Sequence, residues 1–81
     1  MATTREDIER WFINPYKDTP THMLVVCDTF DWEDYPVYVT NDQNVSEVIA
    51  SHSRDMQRVM EVYNYSIDLN TQLNEHRSYH L

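Results

Sequence analysis

The apolar residues near the start of the chain recur at helical spacing, which places them on one face of a short helix: Ile8, Trp11 and Phe12. Thr3 and Glu6 match a capping box, with Thr3 as the N-cap and Glu6 at the third helical position. Asn14 precedes Pro15, and a residue before proline avoids the helical region. The pattern therefore predicts a helix that ends at Asn14 and a loop up to residue 21.

The pattern then changes to that of two β-strands. Residues 24–27 are continuously apolar, which predicts a strand over 21–30 that is covered on both faces. Alternation along this strand places two apolar pairs on opposite faces: Leu24 with Val26, and Met23 with Val25. A second strand is predicted over 36–40, and the short connection 31–35 favours an antiparallel hairpin.

The C-terminal half carries two helical signals. Asn44 caps a predicted short helix over 45–50, and Ser53 caps a predicted longer helix from residue 54 to about residue 77. The apolar positions of the longer segment fall on two faces rather than on one. The hairpin is too short to cover the whole predicted helix. The second apolar face of this helix therefore predicts self-association.

These elements predict an α+β fold in one small domain over residues 1–81. An N-terminal helix is followed by an antiparallel β-hairpin and by one or two C-terminal helices packed on one face of the sheet. A chain of 81 residues buries only about 60–65% of its unfolded surface. Its single cysteine, Cys27, leaves no disulfide within the chain to stabilise so small a core. We therefore expect a homo-oligomer.

Composition excludes several classes of function. A net charge of −8 argues against direct binding to nucleic-acid backbones or to anionic membranes. Glycine is absent, although average usage would give roughly six residues, so glycine-rich phosphate loops and nucleophile elbows are excluded. Cys27 lies within an apolar run, which is typical of a buried thiol in a reducing compartment. We expect a cytoplasmic protein without a membrane span, catalytic residues, bound metal or cofactor.

An acidic cluster interrupts the predicted hairpin: Asp28, Asp31, Glu33 and Asp34. Aromatic residues alternate with it: Phe30, Trp32, Tyr35 and Tyr38. The acids fit a solvated hairpin tip, a site for a hard cation, or a patch that accepts hydrogen bonds from a guanidinium or a nucleoside. The rings fit either a base-stacking site or a small core with an exposed tryptophan.

Two arginines complete the candidate site. Arg54 and Arg58 lie one turn apart on the predicted long helix and form an anion site with Arg5 or Arg10, unless neighbouring acids pair with them. Tyr63 follows on the same predicted helix. The candidate ligand-binding residues are therefore Asp28, Phe30, Asp31, Trp32, Asp34, Tyr35, Arg54, Arg58 and Tyr63.

Three blocks, which cover about half of the chain, resemble a family of small bacteriophage and prophage accessory proteins. They are 7–12 (DIERWF), 21–39 (THMLVVCDTFDWEDYPVYV) and 56–64 (MQRVMEVYN). The resemblance implies a location in the cytoplasm of an infected bacterium. It implies no catalytic residues in this sequence. Small phage proteins of this kind often inhibit host defence, by sequestering nucleotide signals or by blocking a nuclease or CRISPR complex with an acidic surface.

The residues and the resemblance together favour a non-enzymatic anti-defence protein. In the preferred hypothesis, a homo-oligomer sequesters a nucleotide-derived immune signal. In the first alternative, the chain is an acidic inhibitor that could mimic DNA and blocks a host defence protein. In the second alternative, it is a structural or regulatory phage protein without a ligand.

Overall fold

The structure is a computed structural model that describes residues 3–75 and 77–81. Helices and strands follow one another along these residues as α1 Arg5–Ile13, β1 Pro20–Asp28, β2 Glu33–Thr40, α2 Val45–Ser51, β3 Gln57–Asn64 and α3 Leu69–Leu73. None of the helices in this part of the chain has both the length and the apolar character needed to cross a membrane. The predicted α+β class, N-terminal helix, hairpin and second helix are confirmed.

The strands form one antiparallel sheet in the order β2-β1-β3. β1 is the central strand, and its residues 23–27 are all buried. A strand with a partner at each edge and a covered surface on each face needs a continuous apolar run, which is what the sequence of β1 contains.

The sheet separates two hydrophobic clusters. On one face, α2 covers the first cluster: Leu24, Val26, Val37, Val39, Val59 and Val62. On the other face, α1 and α3 cover the second cluster: Ile8, Met23, Val25, Tyr38 and Tyr63. The two C-terminal helices, α2 and α3, therefore lie on opposite faces of the sheet. The prediction that the C-terminal helices pack on one face is wrong. The alternation predicted for the first strand is confirmed.

Several predicted boundaries are corrected by local hydrogen bonds. Thr4 rather than Thr3 caps α1, because its hydroxyl and the Asp7 carboxylate exchange hydrogen bonds with each other's backbone amides. The hydroxyl of Thr3 instead donates to the carboxylate of Asp34. β2 begins at Glu33 rather than at residue 36, so the connection of the hairpin is 29–32 and not 31–35.

The predicted long helix is wrong, because its first half is the strand β3 and a short helix, α3, follows. A β-bulge accounts for the error. Val25 of β1 pairs with Glu61, and Val26 pairs with Val59, so Met60 is an extra residue in β3. The bulge brings Val59 and Val62, three positions apart, into the same cluster. A spacing of three is typical of a helix, although here it comes from a strand.

Side chains and the C-terminal segment occupy the outer edge of β3. The side-chain amide of the fully buried Gln72 donates to the carbonyl of Asn64 over 3.0 Å, and its oxygen accepts from the Asn64 amide over 2.8 Å. Further along the edge, the Val62 amide donates to Ser78, and the Val62 carbonyl accepts from the amide of His80. Gln72 and this segment thus replace a fourth strand.

Candidate functional site

Large apolar side chains are exposed where β1 ends and β2 and β3 begin. Phe30 is 70% exposed, Trp32 is 64% exposed, and Met56 is 55% exposed. The amide of Thr29 in the hairpin loop donates to the Met56 carbonyl over 2.7 Å and thereby joins the loops before β2 and β3. We call this region, formed by residues 28–33 and 54–57, the sheet-end surface.

The hairpin loop presents its aromatic rings on an unusual backbone. Asp28 accepts a hydrogen bond from the Phe30 amide over 2.9 Å, which is the local turn expected of an aspartate at a hairpin tip. Trp32 has a φ of 57°, in the left-handed region that bulky residues rarely occupy. A glycine or an asparagine would reach this conformation at lower cost. The loop therefore holds an exposed indole where turning the chain does not require one.

A groove of about 610 Å³ lies between the two loops and the end of α2. Phe30 and Met56 supply apolar lining, Asp28 and Asp55 supply carboxylates, and Arg54 supplies a guanidinium. The groove thus brings together three of the predicted residues and four that were not predicted, among them Asp55 and Met56. Asp55 and Met56 were missed because the segment was interpreted as a helix, whereas Asp55 has a left-handed φ of 60° in a loop.

Within residues 3–75 and 77–81, no ion pair to an arginine is formed by the carboxylates of the sheet-end surface. Among the residues that the structure describes, the ion pairs within 4.0 Å lie elsewhere in the fold. The predicted pairing of arginines with neighbouring acids is confirmed for Arg5, whose Nε lies 3.6 Å from the Glu9 carboxylate. Within the described part of the chain it is not formed by Arg54 or Arg58. In the same part of the chain, no group of three His, Cys, Asp or Glu side chains converges in a way that could hold a metal ion.

The two predicted arginines do not form the anion site expected from a shared helix. Arg54 lies in the loop before β3, whereas Arg58 lies in β3 opposite Cys27. Asp34 of β2 flanks Cys27 from the other side, so Asp34 and Arg58 border the same central residue. The predicted one-turn spacing of Arg54 and Arg58 is wrong, because residues in a strand do not repeat with the period of a helix.

The remaining predicted residues have different surroundings. Tyr63 is 1% exposed, and its hydroxyl donates to Glu61 over 2.8 Å, so it belongs to the core rather than to a surface that a ligand reaches. Tyr35 is half-buried against the cluster beneath α2. Asp31 lies in the hairpin loop, on the sheet-end surface.

Cys27 lies on the face of the sheet that α1 covers, because it alternates along β1 with Met23 and Val25. Burial, together with the neighbouring Asp34 carboxylate, raises the pKa of the Cys27 thiol above its usual value. The thiolate is the reactive form of cysteine, so this environment favours the unreactive thiol. The interpretation of Cys27 as a structural thiol agrees with this setting.

A second groove of about 360 Å³ lies on the same face, lined in part by Asp34, Met60, Glu61 and Arg77. Its polar side chains already have partners within the chain. Glu61 accepts from the Ser78 amide, and Arg77 donates to the carbonyl of Met60 over 2.7 Å. These contacts hold the C-terminal segment against β3, which gives this groove a structural role.

Comparison of the chain with protein-family models, with curated proteins and with solved structures finds no match. The geometry and chemistry of the sheet-end surface are therefore the basis on which a function is inferred.

Proposed function

We propose that the chain is a non-enzymatic binding protein that uses the sheet-end surface to dock on a basic surface of another protein. One observation carries the proposal. Three large apolar side chains, Phe30, Trp32 and Met56, are exposed at one end of the sheet, among carboxylates that form no ion pair with an arginine in the described part of the chain. Apolar anchors within a charged rim are the usual anatomy of a protein interface.

Charge supports a basic partner. The chain carries a net charge of −8, and the sheet-end surface contributes Asp28, Asp31, Glu33 and Asp55 to that charge. Complementary potentials steer association and suppress wrong partners. The resemblance to phage accessory proteins suggests a class of candidates, because host nucleases and CRISPR complexes bind nucleic acid through basic surfaces. Inhibition of such a defence protein is thus the specific form of the proposal.

A second candidate function is the sequestration of a nucleotide-derived signal. The observation in its favour is that Phe30 and Arg54 line one groove, where a base could stack and a phosphate could meet a guanidinium. Asp28 and Asp55 in the same groove repel phosphate, which is why we rank this function second. In this candidate function, a homo-oligomer would complete the nucleotide pocket.

The proposal is tested by capture from a lysate of bacterial host cells, with quantification of each retained protein. We expect a basic nucleic-acid enzyme to be retained by the wild type and lost with Phe30→Ser combined with Met56→Ser. The matched control combines Ile13→Ser with Leu81→Ser, since these side chains are 70% and 61% exposed away from the sheet end. Equal loss with both double variants would contradict the proposal.

The nucleotide candidate has its own test. Native mass spectrometry of protein purified from bacteria would reveal a nonprotein mass in the nucleotide range and the number of protomers. A nucleotide at 100 times its Kd would also raise the free energy of unfolding by about 2.7 kcal/mol. A bound nucleotide that is lost in the Arg54→Gln variant would reverse our ranking of the two functions.

A further inference from the structure

We infer that the groove between the two loops of the sheet-end surface receives one arginine or lysine side chain of the protein partner. This inference rests on the proposed function and specifies what the partner inserts. It concerns the groove of about 610 Å³ that is lined in part by Asp28, Phe30, Arg54, Asp55 and Met56.

The groove lies between two short, fixed pieces of backbone. Asp28 ends β1 and accepts from the amide of Phe30, while Met56 is tied to the hairpin loop through the amide of Thr29. A backbone hydrogen bond therefore joins the two loops before a partner binds. A site that is already ordered loses less conformational entropy on binding, which favours recognition of a single side chain.

The lining matches the two parts of a basic side chain. The thioether of Met56 and the ring of Phe30 offer apolar surface to the aliphatic stem, and an aromatic face attracts a cation. Asp28 and Asp55 offer two carboxylates against the one guanidinium of Arg54, so the groove has a net negative charge. A cation with an apolar stem therefore fits better than a phosphate or a neutral group.

Exposure and charge point to the same occupant independently. Phe30 is 70% exposed, and an apolar group of a partner would bury its ring favourably in a complex. The carboxylates need a counter-charge if a partner removes them from water, because an unpaired buried charge is costly. An arginine or a lysine meets both needs in one side chain, whereas an apolar residue would bury Asp28 and Asp55 without compensation.

The test uses the full chain and a small probe, so it does not depend on knowing the partner. Acetyl-arginine amide is titrated into the protein, and backbone amide shifts are followed by nitrogen–proton correlation NMR. We expect saturable shifts at Phe30, Asp55 and Met56. Acetyl-citrulline amide, which has nearly the same shape without the charge, should produce no saturable shift at the same concentrations.

Variants separate this groove from general attraction to an acidic protein. Asp28→Asn keeps an oxygen for the amide of Phe30, and Asp55→Asn suits the left-handed backbone, so both should fold. Each should weaken the arginine probe about two- to fivefold, as should Phe30→Ala. Asp18→Asn, an exposed acid in the loop before β1, is the matched control and should leave the affinity unchanged.

Three results would overturn the inference. They are equal shifts with the citrulline probe, equal weakening by Asp18→Asn, and stronger binding of adenosine monophosphate than of the arginine probe at the same residues. Failure of the proposed function would look different. In that case the arginine probe would bind as expected, but no host protein would depend on Phe30 and Met56 for its capture.

Discussion

Trp32 combines an exposed indole with a left-handed backbone, φ 57°, in a chain that has no glycine. This conformation costs a non-glycine residue about 1–2 kcal/mol. The indole is 64% exposed, so burial within this chain returns only part of that cost. Strain of this kind persists where the surrounding structure holds it in place, and it clusters at binding sites.

We expect the variant Trp32→Asn to raise the free energy of unfolding by about 1 kcal/mol, because asparagine tolerates the left-handed region. The same variant should weaken capture of the protein partner. Urea denaturation followed by circular dichroism measures the first effect. Trp32→Phe is the control, since it keeps a ring and the strain and should leave stability near that of the wild type. A clear loss of stability in Trp32→Asn would contradict this assignment.

Asp7, at the start of α1, makes a pH-dependent contribution to the free energy of unfolding. Hydrogen bonds from the backbone of Thr4 and from the side chain of Arg10 lower the pKa of this carboxyl below its ordinary value of 3.8. A lowered pKa means that the folded state binds the proton less readily than the unfolded state. The stabilisation is therefore present above the ordinary pKa and is lost as pH falls through the folded-state pKa.

We expect the free energy of unfolding of the wild type to fall more steeply than that of Asp7→Asn between about pH 4.5 and pH 2.5. Thermal unfolding at a series of pH values measures the difference. Asp18→Asn serves as a control acid outside the capping box. Parallel pH profiles for the wild type and Asp7→Asn would show that the capping box contributes nothing through its charge.

At the scale of elements, β3 depends on residues that follow it in the chain. Gln72 reaches from α3 to the edge of β3, where its side chain bonds to both backbone groups of Asn64 and also donates to the carbonyl of Ile67. The side chain is fully buried. Removing it would leave backbone groups without partners in the interior, which costs more than the bonds themselves contribute.

We therefore expect Gln72→Met, which keeps the length of the side chain, to lower the free energy of unfolding by ~2 kcal/mol. Asn70→Met on the same helix is the matched control, because Asn70 is exposed and its substitution should have little effect. Urea denaturation of both variants gives the comparison. Equal stabilities would mean that α3 does not hold the edge of β3.

At the scale of the whole molecule, the free edge of the sheet at β2 is also protected. Lys17 donates to the carbonyl of Tyr38 over 3.2 Å, and Gln43 accepts from the Thr40 amide over 3.0 Å. Pro36 lies two residues before Tyr38, so its backbone nitrogen faces the same outer edge of the sheet. Because proline has no N–H, it offers no hydrogen-bond donor to another strand there. Proline and lysine at an edge are known protections against strand pairing between molecules.

Opening this edge should cause self-association. We expect the double variant Pro36→Val with Lys17→Ala to form larger species as concentration rises, whereas Lys17→Ala alone should behave more like the wild type. Sedimentation velocity at several concentrations distinguishes these outcomes. A wild-type homo-oligomer stays a prediction, and its interface is expected away from the β2 edge. An unchanged sedimentation coefficient in the double variant would contradict this role of Pro36.

Local chemistry in the sequence determined the first half of the fold. The i, i+3, i+4 spacing of Ile8, Trp11 and Phe12 predicted α1, and the run over 24–27 predicted a strand covered on both faces. Asn44 predicted the start of α2. In each case the signal comes from neighbouring residues, so no knowledge of distant contacts is needed. The acidic and aromatic hairpin loop was identified in the same way.

Tertiary structure alone decided the second half of the fold and the composition of the groove. The bulge at Met60 exists because β3 must match β1, and it gave a strand the apolar spacing of a helix. Asp55 and Met56 join Phe30 because two loops distant in sequence meet at the end of the sheet. Periodicity within a segment carries no information about the register of its partner, and register is what brings these residues together.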